Sequence, residues 1–114
     1  WFISWQKRFG DPLIDAETFL MNSSNEIIEI GNKPNSIAEI NGQYMGLLRI
    51  TPRGWQQIVD ILSKLPKEVK NKIDMTSTLQ KVIQYAKTPV LGIPYESEWG
   101  EIDSQLDLEQ YSFQ

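Results

Sequence analysis

The chain contains no cysteine and no histidine. Without cysteine there are no disulfides, thiol nucleophiles or thiolate metal sites; without histidine there is no imidazole ligand and none of the commonest general base. Any metal must be held by oxygen, which points to Mg²⁺, Mn²⁺ or Ca²⁺. Basic clustering is also scarce. Eleven Lys and Arg stand against fifteen Asp and Glu, for a net charge of -4, and apart from Lys67, Lys70 and Lys72 the cations are scattered. No nucleic-acid footprint is indicated. No apolar run is long enough to span a bilayer, and the first residues lack the charged-then-apolar layout of a signal peptide, so a soluble, cytoplasmic protein with no membrane partner is expected. There is no internal repeat. A Gly-rich phosphate loop after a strand is missing too, so these residues alone do not cradle a nucleoside triphosphate in the usual way.

What remains is a folding composition. At 114 residues with four Trp, four Tyr and four Phe, the chain suits a single domain that buries roughly two-thirds of its unfolded surface. It opens on Trp1 rather than Met, and Trp1, Phe2, Trp5 and Phe9 form a dense apolar face at helical spacing. This reads as the tail of an amphipathic helix stopped by Gly10-Asp11-Pro12, and as part of something longer. Packing of those aromatics into a core is favoured over a ligand-stacking platform.

The order that follows is hairpin, strand, two helices, strand, strand, helix. Thr18-Phe19-Leu20-Met21 is a short strand, Asn22-Ser23-Ser24-Asn25 a turn, and residues 26–30 the returning strand. Gly31-Asn32-Lys33-Pro34-Asn35-Ser36 is a loop whose one cation, Lys33, could donate to a phosphate or simply be solvated. The apolar run of residues 44–50 is bounded by breakers and suits a central strand covered on both faces, with Gly46 marking a close backbone approach. Thr51-Pro52 opens a helix with a stripe of Trp55, Ile58, Val59, Leu62 and Leu65, closed by Pro66. Asp74 or Thr76 caps a second, striped by Leu79, Val82, Ile83 and Ala86. Residues 90–95 make a short strand. The expected fold class is α/β, a mixed sheet with packed helices.

The residues most suited to chemistry lie late, in Glu98-Trp99-Gly100-Glu101-Ile102-Asp103-Ser104-Gln105-Leu106-Asp107-Leu108. On a short extended segment Glu101 and Asp103 face one way while Ile102 faces the core, so two carboxylates could share a hard cation. Ser104 and Asp107 have the form of a capping box that starts a helix directly behind them. Open α/β sheets bind ligands beyond the carboxyl ends of their strands, where these acids would sit. Ordinary solvated surface acids are the competing reading.

Three stretches together resemble the C-terminal half of bacterial nucleotidyltransferases, the Rossmann-like enzymes that make nucleotide-sugars and CDP-choline-type compounds. Residues 28–36 followed by 42–47 are similar to the family's Glu-Lys-Pro loop and the Gly-containing strand after it. Residues 99–104 with Asp107-Leu108 are similar to its late metal-binding motif. Residues 5–8, 11–13 and 15–19 resemble a segment of the cytidylyltransferase-like branch near the acceptor pocket.

The resemblance implies that residues 1–114 are one unit, the C-terminal portion of a nucleotidyltransferase domain whose N-terminal nucleotide-binding half is absent and which is expected to be inactive alone. It implies Lys33 as the grip on the acceptor's phosphate, and Asp103, with Glu101 as the other candidate, as ligand to Mg²⁺. Asn32 stands where many sugar-specific members carry an acid, which makes a phosphorylated amino-alcohol a rival to a sugar phosphate. Its cationic head could be held by Asp15, Glu17 and the face of Tyr44. The implied partners are thus a nucleoside triphosphate and a phosphorylated small molecule. The reaction is attack of the acceptor phosphate on the α-phosphorus with loss of pyrophosphate. The rival class is a non-catalytic α/β interaction module whose acids only cap helices. A sheet lacking a neighbour also leaves an open edge through which copies could associate.

Overall fold

The computed structural model describes residue 13, residues 17–86 and residues 88–110. The aromatic opening segment, the Gly10-Asp11-Pro12 stop and Asp15 lie outside them.

Strands β1 (Thr18–Met21) and β2 (Ile27–Asn32) form an antiparallel hairpin, pairing Thr18 with Asn32, Phe19 with Ile30, Leu20 with Glu29 and Met21 with Ile27. Asn22 builds the turn between them. Its Oδ1 accepts from the backbone N–H of Ser24 (2.9 Å) and Glu26 (3.0 Å), while its Nδ2 donates to Glu26 Oε2 at 2.8 Å. Asn25 takes the left-handed conformation (φ 59°) that asparagine tolerates better than most residues. Beside the start of β2 runs the stretch expected as a further strand. It contributes a single bridge, Glu26 with Leu91, supported by Ile27 N–H to Val90 O (2.8 Å) and Gly92 N–H to Asn25 O (2.7 Å).

After β2 the chain passes through a 3-10 turn (Ile37–Glu39) and reaches helix α1 (Pro52–Ser63). Thr51 caps it, its Oγ1 accepting from Gly54 N–H at 3.1 Å, and Pro52 occupies a position whose N–H would be unsatisfied anyway. The basic connector expected next holds one helical turn, α2 (Lys67–Lys70). Helix α3 (Met75–Tyr85) is capped by Asp74, not Thr76: Asp74 Oδ1 accepts from Ser77 N–H at 2.7 Å. A last short helix, α4, covers Gln105–Gln110.

Helix α3 packs on β2 on one side and on α1 on another. Among the described residues the buried apolar side chains are Ile30, Ile40, Ile58, Leu79 and Val82. The edge of β2 is closed by the helix, because Ile30 N–H donates to Gln80 Oε1 at 2.8 Å. No helix among the described residues is long and apolar enough to cross a membrane.

Four expectations are corrected. The α/β class stands, but the described sheet is a two-stranded antiparallel one rather than a mixed sheet. Residues 44–50 are not a central strand: they hold no regular structure, and Leu47 is 80% exposed. A strand needs a neighbour for its N–H and C=O groups, and none lies beside this run among the described residues. Gly46 answers to torsion, not to a close approach, since its φ is +74° and the space where a Cβ would stand is open. Three residues assigned to inward faces also point out, Trp55 at 57%, Val59 at 40% and Ile102 at 52% exposure.

The Asp74 cap carries a testable pH signature. Its carboxyl is held below the usual range by hydrogen bonds from Ser77, so its stabilisation is complete above the ordinary carboxyl pKa and fades as pH falls through the lowered folded value. Asp74→Ala is expected to cost at most about 1 kcal/mol at neutral pH, because the site is solvent-screened. Urea unfolding of both proteins should show that gap closing below about pH 4; a gap constant down to acid pH would disprove the cap.

Candidate functional site

Two groups of side chains are built by separate parts of the chain. The first lies where β1 begins and β2 ends. Thr18 and Asn32 pair there, and Thr18 Oγ1 donates to Asn32 O at 3.2 Å, so Glu17 and Lys33 are the residues just beyond the last pair. Gly31 leaves the sheet at φ +95°, with Thr76 of α3 3.1 Å from where a Cβ would be. Pro34 then stiffens the loop, and Asn35 N–H donates to Glu39 Oε2 at 2.9 Å to close it. Lys33 is exposed and makes no hydrogen bond or ion pair among the described residues. Its ammonium is available to an anion.

The chain then returns over β1. Gly42 sits against Phe19, whose Cζ would lie 2.8 Å from an added Cβ. This seating brings Tyr44 within electrostatic reach of Glu17. Burial raises the Tyr44 phenol pKa and the Glu17 charge raises it further, keeping the hydroxyl protonated. An aromatic face and a carboxylate side by side suit a cationic group. Of the four residues expected at an acceptor pocket, Glu17 and Tyr44 lie within electrostatic reach of one another and Lys33 follows the strand end that pairs with Thr18; Asp15 is outside the described residues.

The second group is Glu101, Asp103 and Asp107. Ser104 and Asp107 form the expected capping box. Asp107 Oδ2 accepts from Ser104 N–H (2.8 Å), Ser104 Oγ–H (2.7 Å) and Asp103 N–H (3.2 Å), and Asp107 N–H donates to Ser104 Oγ at 3.2 Å. The Ser104 hydroxyl, with the backbone donors, holds the Asp107 carboxyl below its ordinary pKa. With its oxygen engaged, Asp107 serves the helix. Glu101 is half-buried, and burial followed by the nearby negative charge of Asp103 raises its pKa. Asp103 itself is exposed and its carboxylate carries no hydrogen bond.

Glu101 and Asp103 are therefore neighbours, as their alternation about Ile102 predicts, although Ile102 faces solvent rather than a core. Among the described residues no three acidic side chains converge on one point. Two carboxylates whose mutual repulsion a divalent cation would relieve fit Mg²⁺, which commonly takes one or two protein carboxylates and completes its octahedron with water and substrate phosphates. No hydrogen bond or ion pair joins this pair to Lys33.

An open cleft of about 710 Å³ between β2, α2 and α3, lined among others by Asn32, Lys72, Ser77, Gln80 and Lys81, was not expected. Its polar residues come from the end of β2, the turn around α2 and one face of α3. It shares Asn32 with the Lys33 loop but includes neither Tyr44 nor the acidic pair.

Comparison with known proteins bears on both groups. Over 115 aligned residues the chain is 35% identical to a CTP:phosphoglutamine cytidylyltransferase of Campylobacter jejuni subsp. jejuni serotype O:2, covering 96% of this chain. The nucleotidyltransferase resemblance holds. The chain spans 45% of that relative's length. No family profile matches the chain, and no solved structure does.

Removal of the capping box tests how the acidic segment is ordered. Ser104→Ala and Asp107→Ala are each expected to raise amide exchange across residues 105–108 and leave that of α3 unchanged. If residues 105–108 exchange as slowly in both variants as in the parent, the box does not hold α4.

Proposed function

We propose that this chain forms the acceptor-side portion of a Rossmann-like nucleotidyltransferase. The reaction moves a nucleoside monophosphate, cytidylate by analogy with the Campylobacter jejuni relative, from its triphosphate to a phosphorylated small molecule. What supports the reading is the position of Glu17 and Lys33 just beyond the last pair of the hairpin and the electrostatic contact of Tyr44 with Glu17, within an alignment to a cytidylyltransferase that spans nearly the whole chain.

The chemistry follows from charge. A phosphate oxygen of the acceptor attacks the α-phosphorus, the new P–O bond forms, and the bond to the β-phosphate's bridging oxygen breaks to release pyrophosphate. The nucleophile is already ionised near neutral pH, so the lack of histidine costs nothing. Lys33 holds the acceptor phosphate and offsets its charge as two anions approach. Glu17 and Tyr44 hold a cationic group at the acceptor's other end, with Asp15 as a further candidate. An acceptor bearing both a phosphoryl group and an ammonium, a phosphorylated amino-alcohol or amino-acid amide, matches this set better than a hexose phosphate. Asn32 spends its side chain on Glu29, donating through Nδ2 to Oε1, which leaves a sugar hydroxyl no carboxylate at that position. Asp103 would hold Mg²⁺, with Glu101 as the second carboxylate; when bound, the ion supplies neutralisation of phosphate charge.

The test is an assay of pyrophosphate release, using a polypeptide that carries this chain together with a nucleotide-binding half. Turnover with CTP, Mg²⁺ and a phosphorylated amino-acid amide is expected. Asp103→Ala should lower kcat/KM by about 100-fold or more without moving the melting temperature, and undiminished turnover would remove Asp103 from the site. Lys33→Ala should raise the acceptor KM about 10- to 100-fold, the worth of one charge-assisted contact, with a smaller change in kcat. An unchanged acceptor KM would reject that assignment.

A further inference from the structure

The cleft between β2, α2 and α3 is used by neither group of side chains described above, yet it has the make-up of a small-molecule site. Ile30, Val69 and Ile73 give it an apolar lining, and its volume of about 710 Å³ is that of an ordinary ligand pocket. Two lysines stand in its wall, Lys72 just after α2 and Lys81 on α3. Lys81 is half-buried, but its ammonium makes no hydrogen bond or ion pair among the described residues. Its neighbours one turn away on the helix, Ser77, Thr78, Gln84 and Tyr85, include no acid to neutralise it. A partly desolvated cation without a counter-charge favours an anion from outside the chain.

The groups beside Lys81 reinforce that preference. The Ile30 amide takes Gln80 Oε1 as its acceptor at 2.8 Å, which orients the side-chain amide and leaves both Nε2 hydrogens free to donate. Asp74, at the start of α3, is committed to Ser77 N–H and does not compete for the lysines. Residues 64–81 hold five lysines against two acids in a chain of net charge -4. This local reversal of sign draws anions to one side of the molecule. The second of those acids, Glu68, lines the cleft without pairing with either lysine.

The geometry points to a separate binding site in this cleft, for a phosphorylated polyol. A phosphate monoester carries a charge of about -1.5 to -2 near neutral pH and so answers both ammoniums, where a monocarboxylate answers one. Hydroxyl groups on the remainder of the ligand suit Glu68 as acceptor and the amides of Gln80 and Gln84 as donors. The cleft contains none of Lys33, Glu17 and Tyr44, so the site is distinct from the one assigned to the acceptor and does not rest on nucleotidyl transfer. Gly31 and Asn32 form part of its wall and lead directly into Lys33, so an occupant is felt at the base of that loop.

The chain is titrated with glycerol phosphate at neutral pH and low salt while its backbone amide resonances are followed residue by residue. Saturable shifts are expected at residues 30–32, 72 and 77–84, and neutral glycerol should produce none. Lys81→Gln should weaken this binding about tenfold or more, the worth of one charge-assisted contact. Lys72→Gln, at an exposed position that leaves folding intact, should weaken it in the same direction. Lys33→Ala should leave the Kd read at residues 77–84 unchanged. The inference is overturned by the absence of saturable shifts in the cleft, by shifts confined to the residues around Lys33, or by undiminished binding in the lysine variants. Equal affinity for inorganic sulfate would mark an adventitious ion only and overturn it as well. Because no turnover is measured, loss of the nucleotidyltransferase reading and loss of this one are told apart.

Discussion

The seating of α3 on β2 is the contact from which the other placements follow. Leu79 and Val82 bury against the sheet and α1, and Gln80 reaches across to accept the Ile30 amide. One helix thus supplies both the apolar cover and the hydrogen bond that a further strand would otherwise provide. Because Thr76 at the start of the same helix lies against Gly31, the point where the chain leaves the sheet is set by the helix as well. The Lys33 loop therefore hangs from a junction of strand and helix rather than from a free hairpin.

The two functional groups differ in how they are held. At the hairpin end, Glu17 and Tyr44 are positioned by tertiary packing: strand pairing fixes one and the passage of residues 42–44 over Phe19 fixes the other. The acidic pair depends on local order, the Ser104–Asp107 box that begins α4. With five buried apolar residues in the described core, the first arrangement draws on the global stability of a small fold and the second hardly at all. The first group should therefore loosen with the core as a whole, and the second with its own short helix.

Legibility in the sequence followed the range of the forces involved. Where a few adjacent residues decide the outcome, as at Asn22 and Asn25 of the turn, at Thr51-Pro52 and at Ser104 with Asp107, capping and turn chemistry could be read directly. Asp74 and Thr76 were both admissible caps, and the hydrogen bond to Ser77 decides for Asp74. The run at 44–50 misled because apolar periodicity reports a capacity to be buried, not the presence of something to bury against. Trp55 and Ile102 point outward for the same reason. Lys33, Glu17 and Tyr44 were reached through the family resemblance, but the meeting of Tyr44 with Glu17 depends on the close passage at Gly42, which no local pattern encodes. The cleft beside α3 left no mark in the sequence distinct from an ordinary polar helix face.

The meeting of Gly42 with Phe19 has a consequence for evolution and engineering alike. An aromatic ring cannot fold away as an aliphatic tip can, so even one methyl group at position 42 would lift the strand-like passage bodily and draw the phenol away from its carboxylate. A change at this crossing would be felt in the spacing of Tyr44 from Glu17 without altering either side chain.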